Sequence, residues 1–403
     1  MDVEMIETEE FNQGTRIKVI GVGGGGGNAV QYMIERGVQG VEFICANTDA
    51  QALTRSAAST HIQLGASGLG AGSKPTKGRT AAEEKVEEIR AAIDGAHMLF
   101  ITAGMGGGTG TGAAPVIARV AREMGTLTVG VVTMPFEWEG GRRLANAEAG
   151  LAELEANVDS LIVVLNQKLL DVYGDDVEQE EAFAHANDVL KNAVGGISEI
   201  INDYGLVNVD FEDVRTVMEE PGKAIMGTAS ASGPDRARIA AEQATVCPLL
   251  DGVDVSGAKG VLVLITAAKP LLSESRLAMD TIRAISAPDA HVIYGAAKDE
   301  SLGEEMRVTV VATGLARQSQ IRSRQAPIAV VRTGTDDPKG SSHIPGAVGA
   351  SGFLGGHNVN IPAYIRQGSP DVWSNNRAAK VDAMVSGGMS PDEIPAFLRK
   401  QAD

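Results

Sequence analysis

Two glycine-rich runs carry the chemistry that residue type and spacing make readable in this chain. The first, Gly21-Val22-Gly23-Gly24-Gly25-Gly26-Gly27-Asn28, follows the apolar run Ile17-Lys18-Val19-Ile20. The second, Gly104-Met105-Gly106-Gly107-Gly108-Thr109-Gly110-Thr111-Gly112, follows Met98 to Thr102 and leads into Ala113-Ala114-Pro115-Val116-Ile117. Each run has a strand pattern before it and a helical pattern behind it. Glycine lets the backbone approach an anion closely, and a helix N-terminus presents unsatisfied N–H groups to it. Thr109 and Thr111 add hydroxyl donors. Pro115 suits a first helical turn, where its missing N–H has no partner to lose, so the second helix is predicted to start near Ala113. The pattern predicts phosphate binding. A flexible linker can share this composition, but linkers do not sit between a buried strand and a helix start.

The first run also fits the dinucleotide fingerprint G-x-G-x-x-G, and Asp49 lies just past the second strand, where a ribose-binding acid would stand. A nicotinamide-dependent Rossmann oxidoreductase is therefore the alternative reading. The second run counts against it. A dinucleotide fold needs one pyrophosphate loop, whereas a chain of three phosphates can use two loops from adjacent strand ends. No G-x-x-x-x-G-K-[ST] occurs; Lys223 after Gly222 is followed by Ala224, which excludes a P-loop NTPase.

The elements that must position these loops alternate along residues 16 to 316. Strands are predicted at Ile17–Ile20, Val41–Cys45, Met98–Thr102, Thr126–Val132 and Leu161–Leu165, with helical patterns between most of them. The first helix is predicted from Asn28 to about Arg36, stopped by Gly37. This is the alternation of an α/β parallel sheet covered on both faces. Leu190, Ala193, Val194, Ile197 and Ile201 then share one face of a long helix. Strands at Val261–Ile265, His291–Tyr294 and Arg307–Thr313, with a helix around Leu277–Ile285, form a second α/β domain. The expected organisation is a flexible N-terminus (1–15), a nucleotide-binding domain (16–180), a central helix (181–203), an acidic loop and connection (204–223), the second domain (224–316), a disordered linker (317–390) and a C-terminal peptide (391–403). The linker follows from its Gly, Ser, Pro, Asn, Gln and Arg content with little periodicity.

Composition narrows the class. With 403 residues, 43% of them hydrophobic, the chain can bury two or three domain cores. A net charge of −17 disfavours direct binding to nucleic acid or to an anionic membrane. The two cysteines, Cys45 and Cys247, sit in apolar contexts without metal spacing, so no side chain is assigned as a metal ligand and no oxidising compartment is indicated. No secretory h-region and no apolar run of about 18 residues is present, which predicts a cytoplasmic protein. In the C-terminal peptide, Ile394, Phe397 and Leu398 form an apolar triplet suited to a helix-in-groove ligand. Ile361, Tyr364 and Ile365 repeat its pattern upstream, either as a second docking segment or by chance.

Taken together, GGGTGTG between a strand and a helix, GVGGGGGNAV, NTDAQAL, NVDFEDVRT and the terminal DEIPAFLRKQAD resemble the tubulin/FtsZ family of GTPases, and within it the bacterial homologues of tubulin. The similarity covers about residues 16 to 316 and resumes at the C-terminus. It implies GTP and GDP binding, Mg2+ at the phosphates, hydrolysis coupled to head-to-tail assembly in the division ring, and adaptor proteins recruited by the C-terminal peptide. It implies that Gly23, Gly24, Gly25, Gly26, Gly27 and Asn28 hold phosphates together with Gly106, Gly107, Gly108, Thr109, Gly110, Thr111 and Gly112. Glu139 and Arg143 match positions near the ribose and phosphates; Asn166, Asn187 and Asp188 match guanine-contacting positions. A carboxylate can accept from both N1–H and the exocyclic amine of guanine, which adenine does not offer. Without the resemblance, Asp188 reads as a helix N-terminal acid favoured by the macrodipole.

Asn208, Asp210 and Asp213 match residues that polarise the attacking water. The helix from Asp188 to its end near Asp203 spans roughly 22 Å, so these acids would reach only a neighbouring subunit's nucleotide. Their presence argues against a relative that binds GTP without turnover. Two departures stand out: Gln167 where many relatives carry Asp, and Glu212 as a third acid in the loop.

Overall fold

Strands buried on both faces read as unbroken apolar runs, and Ile17–Val22 (β1) is buried at every residue. The computed structural model describes residues 14–169, 174, 178–202, 206–207, 209–220, 222–245 and 257–315. All of them belong to one compact unit, Met1–Ala326. The remaining strands are β2 (Val41–Asn47), β3 (Thr60–Gln63), β4 (Met98–Gly104), β5 (Leu127–Met134), β6 (Ser160–Leu165), β7 (Lys223–Ala231), β8 (Gly260–Ala267), β9 (His291–Lys298) and β10 (Met306–Leu315). They form one sheet in the order β3-β2-β1-β4-β5-β6-β7-β10-β8-β9. From β3 to β6 every pair is parallel, in the doubly wound order whose direction of progression reverses between β1 and β4. Ligands in such sheets bind beyond the carboxyl ends of the strands at that reversal.

The expected second α/β region is present, but its sheet is mixed. β10 runs antiparallel to both β7 and β8, and β8 is parallel to β9. It joins the first sheet through a short parallel contact, Leu161 with Lys223 and Ile162 with Ala224. The central helix spans Gln179–Asn202 and buries Leu190, Ala193, Val194, Ile197 and Ile200. Its far end is fastened below β2: Ser198 Oγ donates to Gln39 O at 3.0 Å and Asn202 Nδ2 to Gly40 O at 3.1 Å. Gly40 has φ +75°, a conformation that admits glycine most easily.

Three expectations about boundaries are corrected. The first helix, α1 (Gly23–Glu35), begins inside the glycine run rather than at Asn28. The helix after the second run begins at Thr109, ends at Glu123, and carries Pro115 in its interior. Tight packing explains both: a Cβ at Gly26 would lie 2.2 Å from Thr102 O, and one at Gly112 would lie 2.0 Å from Pro75 O. At these two positions the neighbouring backbone comes so close that only glycine fits. The segment 204–223, expected as a loop, contains the helix Phe211–Met218. Asp210 caps it, accepting from Asp213 N at 2.8 Å, while Val214, Val217 and Met218 are buried. Residues 1–13, most of 170–177, Asn208, Cys247 and everything from 316 onward lie outside the described residues, including the linker and both C-terminal apolar triplets.

Candidate nucleotide site

β1 and β4 are neighbours in register, with Val22 opposite Ala103, so the two glycine runs leave the sheet side by side. Neither of the helices that follow has a side-chain cap at its start. Their first-turn N–H groups are therefore available to an anion at the reversal point. The two runs also touch. A Cβ at Gly23 would lie 2.8 Å from Gly110 N, and one at Gly25 would lie 3.0 Å from Gly104 Cα. Gly24 and Gly107, by contrast, have nothing within 4 Å of where a Cβ would stand. The glycines thus divide into those that let the two loops pack and those that keep space open.

The threonines also divide. Thr111 is buried, and its hydroxyl accepts from Gly106 N at 2.8 Å, tying the loop to its own helix. Thr109 Oγ1 pairs with Thr48 Oγ1 at 2.6 Å.

A cavity of about 260 Å³ opens beside the glycines. Gly25, Asn28, Met105, Arg143, Asn166 and Asn187 are among the residues that line it. Glu139 also lines it, held by two contacts: Oε1 accepts from Phe136 N at 2.9 Å, and Oε2 pairs with Arg143 Nε at 2.9 Å. Gln167 ties the same turn to β6, since its Oε1 accepts from Glu137 N at 3.2 Å. Asn166 is 5% exposed, and its Oδ1 is buried with no partner among the described residues. A buried acceptor left unmatched is costly, so this oxygen suits a donor supplied by a ligand.

Sequence reasoning missed Phe183, whose ring lies at the cavity 39% exposed. It meets Phe136 edge-on at 5.7 Å, and Phe136 stacks on Trp138 at 5.5 Å. The signal was available as a lone aromatic among Ala182, Ala184 and Ala186 at the start of the central helix.

Asp188 does not line this cavity. It lies well inside the central helix, whose first-turn acids are Glu180 and Glu181, so the macrodipole does not account for it. Its Oδ1 accepts from Tyr32 Oη at 2.8 Å.

The loop acids stand elsewhere. Phe211, beside Asp210, packs on His97 with ring centroids 5.9 Å apart, under the Arg215 guanidinium at 5.1 Å. His97 immediately precedes β4, whereas the second glycine run leaves from the other end of that strand. At about 3.3 Å per residue, the strand alone separates them by roughly 20 Å. Asp210 and Asp213 are therefore not brought together with the glycine loops in one subunit.

A doubly wound sheet, two uncapped helix starts at its reversal point and a polar cavity with an aromatic wall define a nucleotide-binding protein. Residues 16–174 match the model of the Tubulin/FtsZ family GTPase domain, and residues 222–316 match that of the FtsZ family C-terminal domain. The chain is 44% identical to the cell division protein FtsZ of Wigglesworthia glossinidia brevipalpis, over 99% of this chain and 100% of that one. It is 48% identical to the FtsZ of Pseudomonas aeruginosa, over 96% and 97%. Among solved structures it resembles an empty FtsZ dimer from M. jannaschii, with TM-score 0.70 and 42% identity over 77% of this chain and 90% of that one. It shares the fold of a CetZ2 protofilament from Haloferax volcanii at TM-score 0.66 and 21% identity, over 77% and 96%. The chain belongs to the FtsZ family. The oxidoreductase alternative falls with that finding: the glycine fingerprint that suggested it lies within the matched GTPase domain.

Proposed function

We propose that this chain binds and hydrolyses GTP and assembles head to tail into filaments of the bacterial division ring, with each hydrolytic site closed between two subunits. The observation that carries this reading is the position of the acids, one strand length from the glycine loops of their own subunit. Only a neighbour stacked end to end can bring them to the phosphates. Such an interface is heterologous, so it propagates a filament instead of closing a dimer. Both ends present an apolar anchor suited to it. Leu69 is 89% exposed on the loop whose Ala71 packs against Gly108, and Leu206 is 66% exposed four residues before Asp210.

In this reading Gly23 to Asn28 and Gly106 to Gly112 surround the phosphates, with the bare N–H groups of two helices directed at them. Glu139 and Arg143 hold the ribose side. Asn166, Asn187 and Asp188 select guanine, and Phe183 offers a ring face to the base. Asn208, Asp210 and Asp213 of the next subunit would polarise the attacking water and direct its lone pair at the γ-phosphorus. Catalysis is positioning plus charge stabilisation. Among the described residues no three His, Cys, Asp or Glu side chains cluster as a metal cage. Mg2+ bound with the nucleotide would supply charge neutralisation at the phosphates. The domain boundaries follow the same division of labour: 16–180 for the nucleotide, 181–203 as the spacer, 204–223 for the acids and 224–316 for the second domain. Beyond these, the linker at 317–390 and the peptide at 391–403 would connect filaments to membrane-tethered adaptors beneath the inner membrane, through Ile394, Phe397 and Leu398.

The test is phosphate release and light scattering with GTP across protein concentrations. Turnover per subunit should be near zero below a critical concentration and rise with assembly above it. Turnover independent of concentration contradicts the shared site. Asp213→Ala should still bind GTP but hydrolyse it slowly.

A further inference from the structure

Asn28, Tyr32 and Arg36 lie at i, i+4 and i+8 along α1 and its C-cap, and so follow one face toward the central helix. Asn28 lines the nucleotide cavity. One turn on, the Tyr32 hydroxyl donates to Asp188 Oδ1 at 2.8 Å, and the Arg36 guanidinium covers the Tyr32 ring at 4.9 Å. Across from them, Asn187 and Leu190 of the central helix line the same cavity on either side of Asp188 in sequence. The phenol is thus gripped on its ring by Arg36 and commits its hydroxyl to one carboxylate oxygen.

We propose that Tyr32 is a positioning residue for guanine selection, fixing the Asp188 carboxylate so that its free acceptor sites face the edge of the base. The inference rests on the reading that Asp188 meets the base. An aspartate on a helix can turn about two side-chain bonds, and a carboxylate that must accept two parallel hydrogen bonds tolerates little rotation. A single 2.8 Å bond to a ring held on its other side removes that freedom before the nucleotide arrives. Burial, and after it the Asp188 carboxylate, raise the Tyr32 pKa above its ordinary value, so the hydroxyl remains a donor at neutral pH.

The test uses the full chain and two nucleotides, GDP and IDP, which differ only in the 2-amino group of the base. Affinities are measured by calorimetry for the wild type, Tyr32→Phe and Asp188→Ala. Tyr32→Phe keeps the ring under Arg36 and removes only the hydroxyl. It should weaken GDP about fivefold, IDP less, and so contract the GDP/IDP preference. Equal weakening of both nucleotides, or no change in either, overturns the proposal. Asp188→Ala separates the two levels. If it abolishes the preference while Tyr32→Phe does not, the role of Tyr32 fails alone. If it leaves the preference intact, the base contact fails and this inference fails with it.

Discussion

A methyl group on Gly112 would lie 2.0 Å from the Pro75 carbonyl oxygen, whereas one on Gly24 would meet nothing within 4 Å. Gly112→Ala should therefore cost about 1–3 kcal/mol of stability through forced backbone movement. Gly24→Ala should leave thermal unfolding in place and weaken GTP binding instead. Thermal unfolding and nucleotide titration of the two variants check this, and a Gly24→Ala protein that binds GTP normally would remove that residue from the phosphate site. Both glycines were visible in the sequence as members of anion-binding runs. Which one packs and which one leaves space was not, because the deciding neighbours, Pro75 for Gly112 and Arg143 for Gly106, come from distant segments. The same holds for Asn166: the family resemblance implied a base contact, but its unmatched buried Oδ1 is a property of the folded surroundings.

At the scale of elements, Asp210 has two duties that substitution can separate. Its carboxylate caps the helix Phe211–Met218 through Asp213 N. Asp210→Ala should lose the cap, worth about 1 kcal/mol, together with hydrolysis, whereas Asp210→Asn should keep the cap and lose only hydrolysis. Chemical denaturation beside phosphate release distinguishes them; equal stability losses would contradict the capping role. In the second half of the molecule, Arg236 and Glu274 pair through two 2.8 Å hydrogen bonds, with side chains 12% and 16% exposed. Those bonds, against some desolvation, lower the Glu274 pKa below its ordinary value. Its contribution is thus complete above the ordinary carboxylate range and is lost as pH falls through the depressed folded value. Glu274→Gln should cost about 1.5–3 kcal/mol at pH 7, and the gap from wild type should narrow as pH falls through that depressed value. A gap that does not change with pH would refute this. Strand–glycine–helix junctions were legible because their signals are local. Strand β7 was not, since Lys223–Ala231 mixes glycine, threonine and serine into a half-exposed pattern whose pairing with β10 is made about 80 residues away.

For the whole molecule, the decisive relation is between two ends of one sheet, and this was partly legible. The length of the central helix already placed the acids far from the nucleotide. The structure adds an independent measure through β4, with Phe211 against His97 at one end and the second glycine run at the other. An assembly that depends on these ends should be sensitive to their exposed apolar anchors. Leu206→Glu should raise the critical concentration several-fold while leaving GDP affinity unchanged, as sedimentation and calorimetry would record; unchanged assembly would exclude Leu206 from the interface. The shared site is tested most directly by mixing two inactive variants. Asp213→Ala keeps the nucleotide loops and lacks the acid; Gly24→Ala keeps the acids and binds GTP weakly, so the assay is run at a GTP concentration that leaves it largely empty. With GTP, each alone should release little phosphate, and the mixture should regain turnover, because the loops of one subunit meet the acids of the other. A mixture as inactive as its parts would contradict a site completed between subunits.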